Sequence, residues 1–201
     1  GLDHPLAGQI LLESRDINEL PRKLLARHIG MLQQHTVYVF DSSVLQTALT
    51  GRHPHLAYWE REGAADLDKA SAALKAVGLE GFSGRSVTGL SGGEARRLAF
   101  AALLVQEPEI MLLDEPTNHL DLDMIEWLES YLSKSKSTIL MVTHDRYFLE
   151  VICDTILELE DKTIYKYKGN FSYYLEKKAE RNENRDTTIG KAKNQFRKEL
   201  D

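Results

Sequence analysis

The sequence predicts an α/β fold with a mostly parallel sheet and a helical subdomain inserted into it. Short apolar runs, partly of β-branched residues, alternate with helical segments in the second half of the chain, as is typical of parallel sheets. Because these runs are continuously apolar, they predict strands that are buried on both faces. A stretch of helical pattern without any strand, from about residue 42 to about residue 107, predicts the helical subdomain.

The first half of the chain begins with two predicted strands around a helix and then continues with helices only. The strands are "GQILL" and "IGMLQ", and the helix between them is "ELPRKLLARH". The helices that follow are "SSVLQTALTG", "ADLDKASAALKAVG" and "GEARRLAFAALLVQ". Gly78 is expected to end the second of these, because glycine commonly follows the last turn of a helix.

The second half of the chain contains three further predicted strands, "EIMLLD", "STILMV" and "TILELE". The helical segments "MIEWLESYLSK" and "DRYFLEVIC" separate them. After about residue 161 the chain becomes polar, aromatic at first and then mixed in charge. We expect this last part to form a final strand, a docked turn and an exposed helix.

The composition is that of an ordinary globular protein. Apolar residues make up 42% and charged residues 28% of the 201, and the net charge of −6 gives no basis for whole-chain binding to nucleic acid or membranes. A single cysteine excludes an internal disulfide and fits a reducing compartment. No apolar run could span a bilayer and no signal peptide opens the chain, so we expect a cytoplasmic protein, at most peripheral at the inner membrane face.

Two adjacent acids follow a run of apolar residues. Asp114 is the last residue of "EIMLLD", and Glu115 comes directly after it. The C-terminal end of a strand in an α/β sheet is where ligand crevices form. This arrangement suits a nucleotide hydrolase in which Asp114 orients Mg²⁺ through its water shell and Glu115 accepts a proton from the attacking water. A strand that merely ends in two solvated acids is the alternative.

The segment "LSGGEARR" places Ser91, Gly92, Gly93 and Glu94 just before a helix. Two glycines allow a ligand to approach the backbone closely, and the N-terminus of a helix attracts anions. Ser91 and Glu94 also fit a capping box, which needs no ligand. A capping box does not, however, require both glycines.

Two single residues follow other predicted strands. His144 comes after "STILMV", where an imidazole can hydrogen-bond a γ-phosphate, although a lone histidine is more often structural. Gln34 comes after "IGML", where its amide could contact Mg²⁺ and water. Each signal is weak alone, and the order of all the motifs along the chain is what gives them weight.

In that order the motifs resemble the nucleotide-binding domain of ATP-binding cassette (ABC) proteins, which has a P-loop NTPase-like fold. Gln34 matches the Q-loop, "LSGGE" the signature, "IMLLDE" the Walker B motif, "HLD" with Asp121 the D-loop, and His144 the switch histidine. The resemblance implies ATP and Mg²⁺ as cofactors and a head-to-tail dimer with a second ABC cassette. It also implies a nucleotide-binding domain at residues 1–160, followed by the final strand, docking turn and start of a linker helix at 161–201.

The two parts of the chain resemble different branches of the family. Up to about Asp121 it is similar to importer ATPases for iron–siderophore and cobalamin uptake, whose partners are transmembrane permease subunits. After that it is similar to ABC-F proteins, which act on ribosomes. Either a recombined sequence or a natural member with a diverged helical subdomain fits this contrast. If the chain is an ABC-F protein, we expect the basic residues of the last segment to lie near rRNA phosphates. The alternative is a solvated helix of mixed charge. The basic residues are Lys177, Lys178, Arg181, Lys191, Lys193, Arg197 and Lys198.

The phosphate-loop pattern G-x-x-x-x-G-K-[ST] does not occur in these 201 residues. The one Gly-Lys pair, Gly190-Lys191, is followed by Ala192 and lies in the polar last segment. We therefore expect a cassette that is truncated before Gly1 and is impaired as an ATPase by itself. Three hypotheses stay open: an ABC-F-like ATPase, the ATPase subunit of an importer, and a non-enzymatic cassette remnant.

Overall fold

The computed structural model describes residues 7–34, 38 and 40–199, with side chains up to residue 185. The strands are β1 (Leu11–Leu12), β2 (Arg15–Asp16), β3 (Ile29–Leu32), β4 (Ile110–Asp114), β5 (Thr138–Val142), β6 (Thr155–Glu160) and β7 (Thr163–Lys168). The α-helices are α1 (Arg22–His28), α2 (Val44–Leu49), α3 (Ala64–Ala76), α4 (Gly92–Gln106), α5 (Leu122–Lys134), α6 (Arg146–Ile152) and α7 (Phe171–Glu199).

A parallel sheet of three strands in the order β3-β4-β5 confirms the predicted α/β fold. Its register aligns Leu32 with Leu113, and Asp114 with Val142. The three strands therefore end at the same edge, and the residues that follow them begin there. Gln34, Glu115 and Thr143 are among those residues.

The sheet is buried on one face only, whereas the sequence predicted burial on both faces. Met111 and Leu113 of β4 are buried, but Leu140 and Val142 of β5 are 54% and 61% exposed. Side chains of a strand alternate between the two faces, so the described helices cover one of them and leave the apolar side chains of the other accessible.

Two predicted strands take part in other pairings. "GQILL" contributes only β1, which forms a short antiparallel hairpin with β2. "TILELE" forms β6, which pairs antiparallel with β7 in a separate two-stranded sheet, and its Leu159 is 75% exposed. An apolar run predicts an extended segment, but the strand partner depends on contacts distant in sequence. The prediction that β6 is buried on both faces is therefore wrong.

Between β3 and β4 the described residues form helices and turns and no named strand, as the pattern predicted. The helix α4 is central to this region and contacts α2, α3 and β3. Its buried side chains include Leu98, Phe100 and Leu103. Gly78, at a positive φ of 72°, follows the end of α3 as expected.

The chain divides into two compact units. The first comprises residues 1–128 and 134–143, and the second comprises residues 129–133 and 144–201. This division differs from the boundary after residue 160 that the sequence pattern suggested, and the latter stays a prediction about domain organisation. Among the described helices, none combines the length and the apolar character needed to cross a bilayer.

Within the second unit, the hairpin β6–β7 binds the first turns of α7 through one buried carboxylate. Glu158 accepts hydrogen bonds from Tyr167, Tyr174 and Lys178, and Arg181 forms an ion pair with it. Lys178 and Arg181 are therefore engaged inside this unit, which disfavours their predicted role beside RNA phosphates. The side chains of Lys191, Lys193, Arg197 and Lys198 lie outside the described part of the chain.

Candidate functional site

The C-terminal end of β4 carries the two predicted carboxylates. Asp114 is the last residue of the strand, and Glu115 follows with its side chain buried at 6% exposure. The backbone N–H of Glu115 donates to the carbonyl of Val142 at 2.8 Å, and the Thr143 hydroxyl donates to Glu115 Oε2 at 3.3 Å. Glu115 is thus held by the last residue of β5 through its backbone and by the following residue, Thr143, through its side chain.

The backbone of Glu115 has an unusual conformation for a residue with a side chain. Its φ is +46°, in the left-handed region, and it directly precedes Pro116. Non-glycine residues adopt this region at a cost, and they keep it only where surrounding contacts fix the backbone. The turn after β4 is therefore a place where the fold imposes a specific direction on the residue that carries the acid.

A buried arginine that the sequence analysis missed connects this turn to the segment after β3. Arg96 of α4 donates from Nη2 to the carbonyls of Asp114 and Glu115, at 2.7 Å each. From Nη1 it donates to the carbonyls of Gln33 and Gln34, the latter at 3.3 Å. The structure thus brings together the backbones of three predicted site residues: Gln34, Asp114 and Glu115.

A signal for Arg96 was present in the sequence. It lies one turn before Phe100 and two turns before Leu103 on the buried stripe of α4, where an apolar residue is expected. Burial lowers the pKa of the Arg96 guanidinium, and the charges of Asp114 and Glu115 oppose that shift. A charged residue on the apolar stripe of a helix therefore marks a specific polar partner in the fold.

The predicted signature residues lie at the N-terminus of α4. Ser91 is its N-cap and forms a capping box with Glu94: Ser91 Oγ accepts from the Glu94 N–H at 3.3 Å, and Glu94 Oε2 accepts from the Ser91 N–H at 2.7 Å. Hydrogen bonds to the Glu94 carboxylate, first from the backbone N–H of Ser91 and then from its hydroxyl, keep the pKa of Glu94 below its ordinary value. The capping alternative therefore applies to Ser91 and Glu94, and it does not exclude a ligand at the same helix end.

The two glycines of the signature have different surroundings. A Cβ on Gly93 would lie 2.9 Å from the carbonyl oxygen of His119, so the loop after β4 packs directly against the backbone there. A Cβ on Gly92 would meet nothing within 4 Å. Packing therefore explains Gly93, whereas Gly92 leaves an open approach to the start of the helix.

A cavity of about 560 Å³ adjoins this helix end. Four predicted site residues line it, namely Ser91, Gly93, Glu94 and Asp121. Asp121 Oδ1 accepts from the Met124 N–H at 3.0 Å, and Arg97 Nη2 donates to Asp121 Oδ2. Asp121 thus hydrogen-bonds the first turn of α5 and contacts α4 at the same time.

The predicted site residues therefore form two groups in the first unit, one at the sheet edge and one around the cavity. His144 belongs to the second unit, and its role beside the γ-phosphate stays a prediction. Across the described residues, no three or more His, Cys, Asp or Glu side chains form a metal-binding group. The assignments of Asp114 and Gln34 to Mg²⁺ also remain predictions.

Comparison with known families gives two matches. A family profile described as "ABC transporter" matches residues 1–118, and a second profile with the same description matches residues 157–201.

The chain is similar in sequence to curated proteins, two of which are described here. The chain is 48% identical over 127 residues to the energy-dependent translational throttle protein EttA of Mycobacterium tuberculosis, a match that covers 63% of this chain and 22% of that protein. It is 42% identical over 125 residues to ABC transporter F family member 5 of Arabidopsis thaliana, covering 60% and 18% respectively. The chain spans about a fifth of the length of these relatives.

Solved structures of ABC ATPases share the fold. The chain matches cbiO1 of Clostridium perfringens, part of the ABC transporter complex cbiONQ, with a TM-score of 0.68 and 26% identity, covering 89% of this chain and 72% of that one. It also matches a putative metal-chelate type ABC transporter in an inward-facing conformation, with a TM-score of 0.62 and 28% identity, covering 70% and 58%.

Proposed function

The chain belongs to the ABC transporter family, and on that premise we propose that it is the ATP-binding and ATP-hydrolysing domain of an ABC-F-like protein that works on the ribosome. The observation that carries the enzymatic part is the sheet edge, where one guanidinium holds the backbones of Gln34, Asp114 and Glu115 together. Relatives named translational throttle proteins, 48% identical over the matched segment, support the ABC-F part.

In this proposal Glu115 is the general base. Its carboxylate accepts the proton of the water that attacks the γ-phosphate of ATP, and the Thr143 hydroxyl bonded to Oε2 keeps the carboxylate oriented. The amide of Gln34 orients that water, and the imidazole of His144 donates a hydrogen bond to the γ-phosphate. Gln34 and His144 thus position the water and stabilise the γ-phosphate, and phosphoryl transfer depends mainly on such positioning and charge stabilisation.

The donor set at the sheet edge fits Mg²⁺. Asp114 and Gln34 offer oxygen ligands, and Mg²⁺ is usually bound through one or two carboxylates, waters and substrate phosphates rather than through a full protein cage. When bound, the ion supplies neutralisation of phosphate charge.

The second group of residues would act on the nucleotide of another cassette. Ser91 and the backbone N–H groups of Gly92 and Gly93 start α4, and the positive end of the helix dipole favours a phosphate there. Asp121 and the cavity beside it would lie against the partner cassette. The proposal therefore needs a head-to-tail dimer, in which each cassette completes the ATP site of the other.

The variant Ser91→Arg tests this action in trans. In a complete cassette it should leave nucleotide binding by the monomer nearly unchanged, because the monomer's own phosphate contacts lie elsewhere, and it should abolish ATP-dependent dimerisation. Calorimetry and light scattering measure the two effects separately. An equal loss of monomer binding would contradict the assignment.

The variant Glu115→Gln tests the base. In the polypeptide joined to the upstream segment of an ABC-F cassette, ATP should still bind while turnover falls by on the order of a hundred- to a thousandfold, because an amide cannot accept the proton. Glu109→Gln is the matched control, since Glu109 immediately precedes the opposite end of β4 and pairs with His28 at 3.1 Å. Unchanged turnover in the Glu115 variant would remove the residue from the mechanism.

A phosphate loop is needed for full activity, and the pattern is absent from these 201 residues. The isolated 201-residue polypeptide should therefore hydrolyse ATP poorly, and joining it to the upstream segment of an ABC-F cassette should restore turnover. Robust hydrolysis by the isolated polypeptide, dependent on Glu115, would show that other groups replace the loop. Inactivity of both forms would favour the third candidate, a cassette that only offers its signature face to another.

The second candidate function is the ATPase subunit of an importer. The structural similarity to cbiO1, part of a transporter complex, favours it. Co-sedimentation with ribosomes in the presence of ATP, using the Glu115→Gln variant to prolong binding, separates the two. Binding to ribosomes supports the ABC-F proposal, whereas its absence together with co-purification of a membrane permease supports the importer.

A further inference from the structure

The guanidinium of Arg96 is buried, at 3% exposure for the residue, and its described hydrogen bonds go to backbone carbonyls. Two of these carbonyls belong to the segment after β3 and two to the turn after β4. Among the described residues, the Nε atom has no hydrogen-bond partner. Burying a guanidinium costs desolvation free energy. An arginine on the apolar stripe of a helix therefore indicates a role that an apolar side chain could not perform.

The task follows from which backbones are joined. β3 and β4 are hydrogen-bonded as far as Leu32 and Leu113, and beyond that point the parallel ladder ends. The residues that bear the predicted chemistry, Gln34 and Glu115, lie just past the ladder. Within the sheet, backbone hydrogen bonds connect β3 to β4. Beyond the last pair of the ladder, the side chain of Arg96 connects the two chain segments instead.

Arg96 also fixes the strained residue from its second side. The N–H of Glu115 is bonded to Val142, and the carbonyls of Asp114 and Glu115 are both bonded to Nη2. Donors and acceptors on either side of the residue are therefore committed, which is what keeps a non-glycine residue at φ +46°. The direction of the Glu115 side chain depends on these contacts.

We propose that Arg96 is a positioning residue for ATP hydrolysis, which holds the backbones of Gln34 and Glu115 in one fixed arrangement. The proposal rests on the proposed ATPase function. It further places this arrangement under the control of α4, because Arg96 is five residues from Ser91 on the same helix and about 7.5 Å along its axis. A displacement of the signature end by a second cassette would reach the Q-loop and the general base through one side chain.

An arginine suits this position better than a lysine. The planar guanidinium has five donors in a fixed fork and can serve carbonyls on two segments at once, whereas an ammonium is a compact charge on a flexible chain. The ring of Phe100, whose centroid is 5.9 Å from the guanidinium carbon, lies one turn further along the same helix. We therefore expect Arg96→Lys to be intermediate and Arg96→Met to be the more severe change.

Hydrogen–deuterium exchange provides the first readout. Both Arg96 variants should increase amide exchange in residues 33–34 and 114–118 and leave α3 unchanged. Arg52→Lys and Arg52→Met are the matched controls, because Arg52 is also a part-buried arginine of this unit, bonded to Asp66 at 2.7 Å and to the Val105 carbonyl at 3.4 Å. A uniform increase across the unit, equal to that in the Arg52 variants, would assign Arg96 to general stability and overturn the proposal.

Steady-state ATP hydrolysis by the same variants, each joined to the upstream segment of an ABC-F cassette, provides the second readout. A misplacement of about 1 Å in a catalytic group can cost on the order of a hundredfold in rate, so kcat of Arg96→Met should fall by about that factor with KM little changed. Arg96→Lys should recover part of the loss, and the Arg52 variants should retain kcat. Equal kcat in Arg96→Met and the unsubstituted protein would overturn the proposal. Absence of turnover in the unsubstituted polypeptide joined to that upstream segment would count against the proposed function alone, and the exchange comparison would then decide the role of Arg96.

Discussion

The two compact units of the chain are stabilised by different kinds of contact. The first has an apolar core with many fully buried side chains, among them Leu98 and Phe100 of α4. The second leaves Leu157, Leu159 and Ile164 of its hairpin more than half exposed, and its α7 is attached through Glu158 and the groups around it. Hydrophobic burial depends little on pH or salt, whereas charged contacts depend on both, so the two units should respond differently to solution conditions.

Arg96 in the first unit and Glu158 in the second are both nearly buried charged residues, and these two charges are compensated in different ways. The described hydrogen bonds of Arg96 go to neutral backbone carbonyls, and the nearby charges of Asp114 and Glu115 also favour its charged form. Glu158, whose side chain is 9% exposed, has Lys178 and Arg181 as counter-charges and two tyrosine hydroxyls as donors. These partners lower the pKa of Glu158 to about 2, although burial acts in the opposite direction. Arg96 therefore fixes the arrangement of two backbone segments, and Glu158 attaches α7 to the hairpin β6–β7.

The largest expected effect is in the apolar core. Phe100→Ala removes a ring that is 2% exposed, and such a change costs about 3–5 kcal/mol of the free energy of unfolding. Urea denaturation, followed by hydrogen exchange in each unit, measures it. The loss should be similar at pH 7 and pH 4, because no titrating group is removed; a strongly pH-dependent loss would contradict the contrast between the units.

Acid should weaken the second unit next. The pKa of Glu158 is about 2 in the folded chain and near 4.5 when unfolded, so its contribution is complete above pH 4.5 and is lost as the pH falls through 2. The difference corresponds to roughly 3–3.5 kcal/mol. Amide exchange in β6 and β7, measured from pH 5 downwards and corrected for the intrinsic rate, should show this loss. In Glu158→Gln the same segment should lack this pH dependence.

A single hydroxyl around Glu158 should matter less than the charge itself. Tyr167→Phe removes a donor 3.0 Å from Glu158 Oε2 and should cost about 1–2 kcal/mol, because the other donors to the carboxylate remain. Tyr165→Phe is the control: its ring lies 3.9 Å from the Arg181 guanidinium carbon, and the substitution keeps that ring. Equal effects of the two substitutions on thermal unfolding would show that the hydroxyl of Tyr167 is not specifically used.

The smallest effect should come from an apolar residue. Leu159→Ala in β6 removes a side chain that is 75% exposed, and its cost should stay within about 0.5 kcal/mol. The identical type of substitution at Leu98, which is fully buried, should cost about 2–5 kcal/mol. Chemical denaturation of both variants compares the units directly. A large loss from Leu159→Ala would mean that the hairpin buries this side chain in solution.

The sequence pattern predicted the secondary-structure elements but not the strand partners or the burial, which depend on contacts distant in sequence. The alternation of apolar runs and helices predicted β3, β4, β5 and the helices between them, because each element shows its own periodicity. The partner of β6 was not predictable in this way, since an antiparallel neighbour and a parallel one leave the same apolar run. The exposed face of β5 was missed for the same reason: burial is a property of what packs on a strand.

The candidate site shows the same division. The sequence indicated Gln34, Asp114 and Glu115 because their residue types follow strands at motif spacing, and the structure places their backbones around one guanidinium. Arg96 was overlooked because a charge in a helix is usually assigned to the solvent side. Its four carbonyl partners come from segments 18 to 63 residues away, and no local pattern records them.

The different surroundings of Gly92 and Gly93 have a consequence for how substitutions would be tolerated under selection. At Gly93 any side chain would strike the His119 carbonyl, so selection for folding alone would keep glycine there. At Gly92 the space is open, so a folded but inactive protein could accept alanine or serine. In a library selected only for soluble expression, position 92 should drift while position 93 stays fixed. Any additional preference for glycine at position 92 in an activity selection would then report contact with the ligand, separated from the demands of the fold.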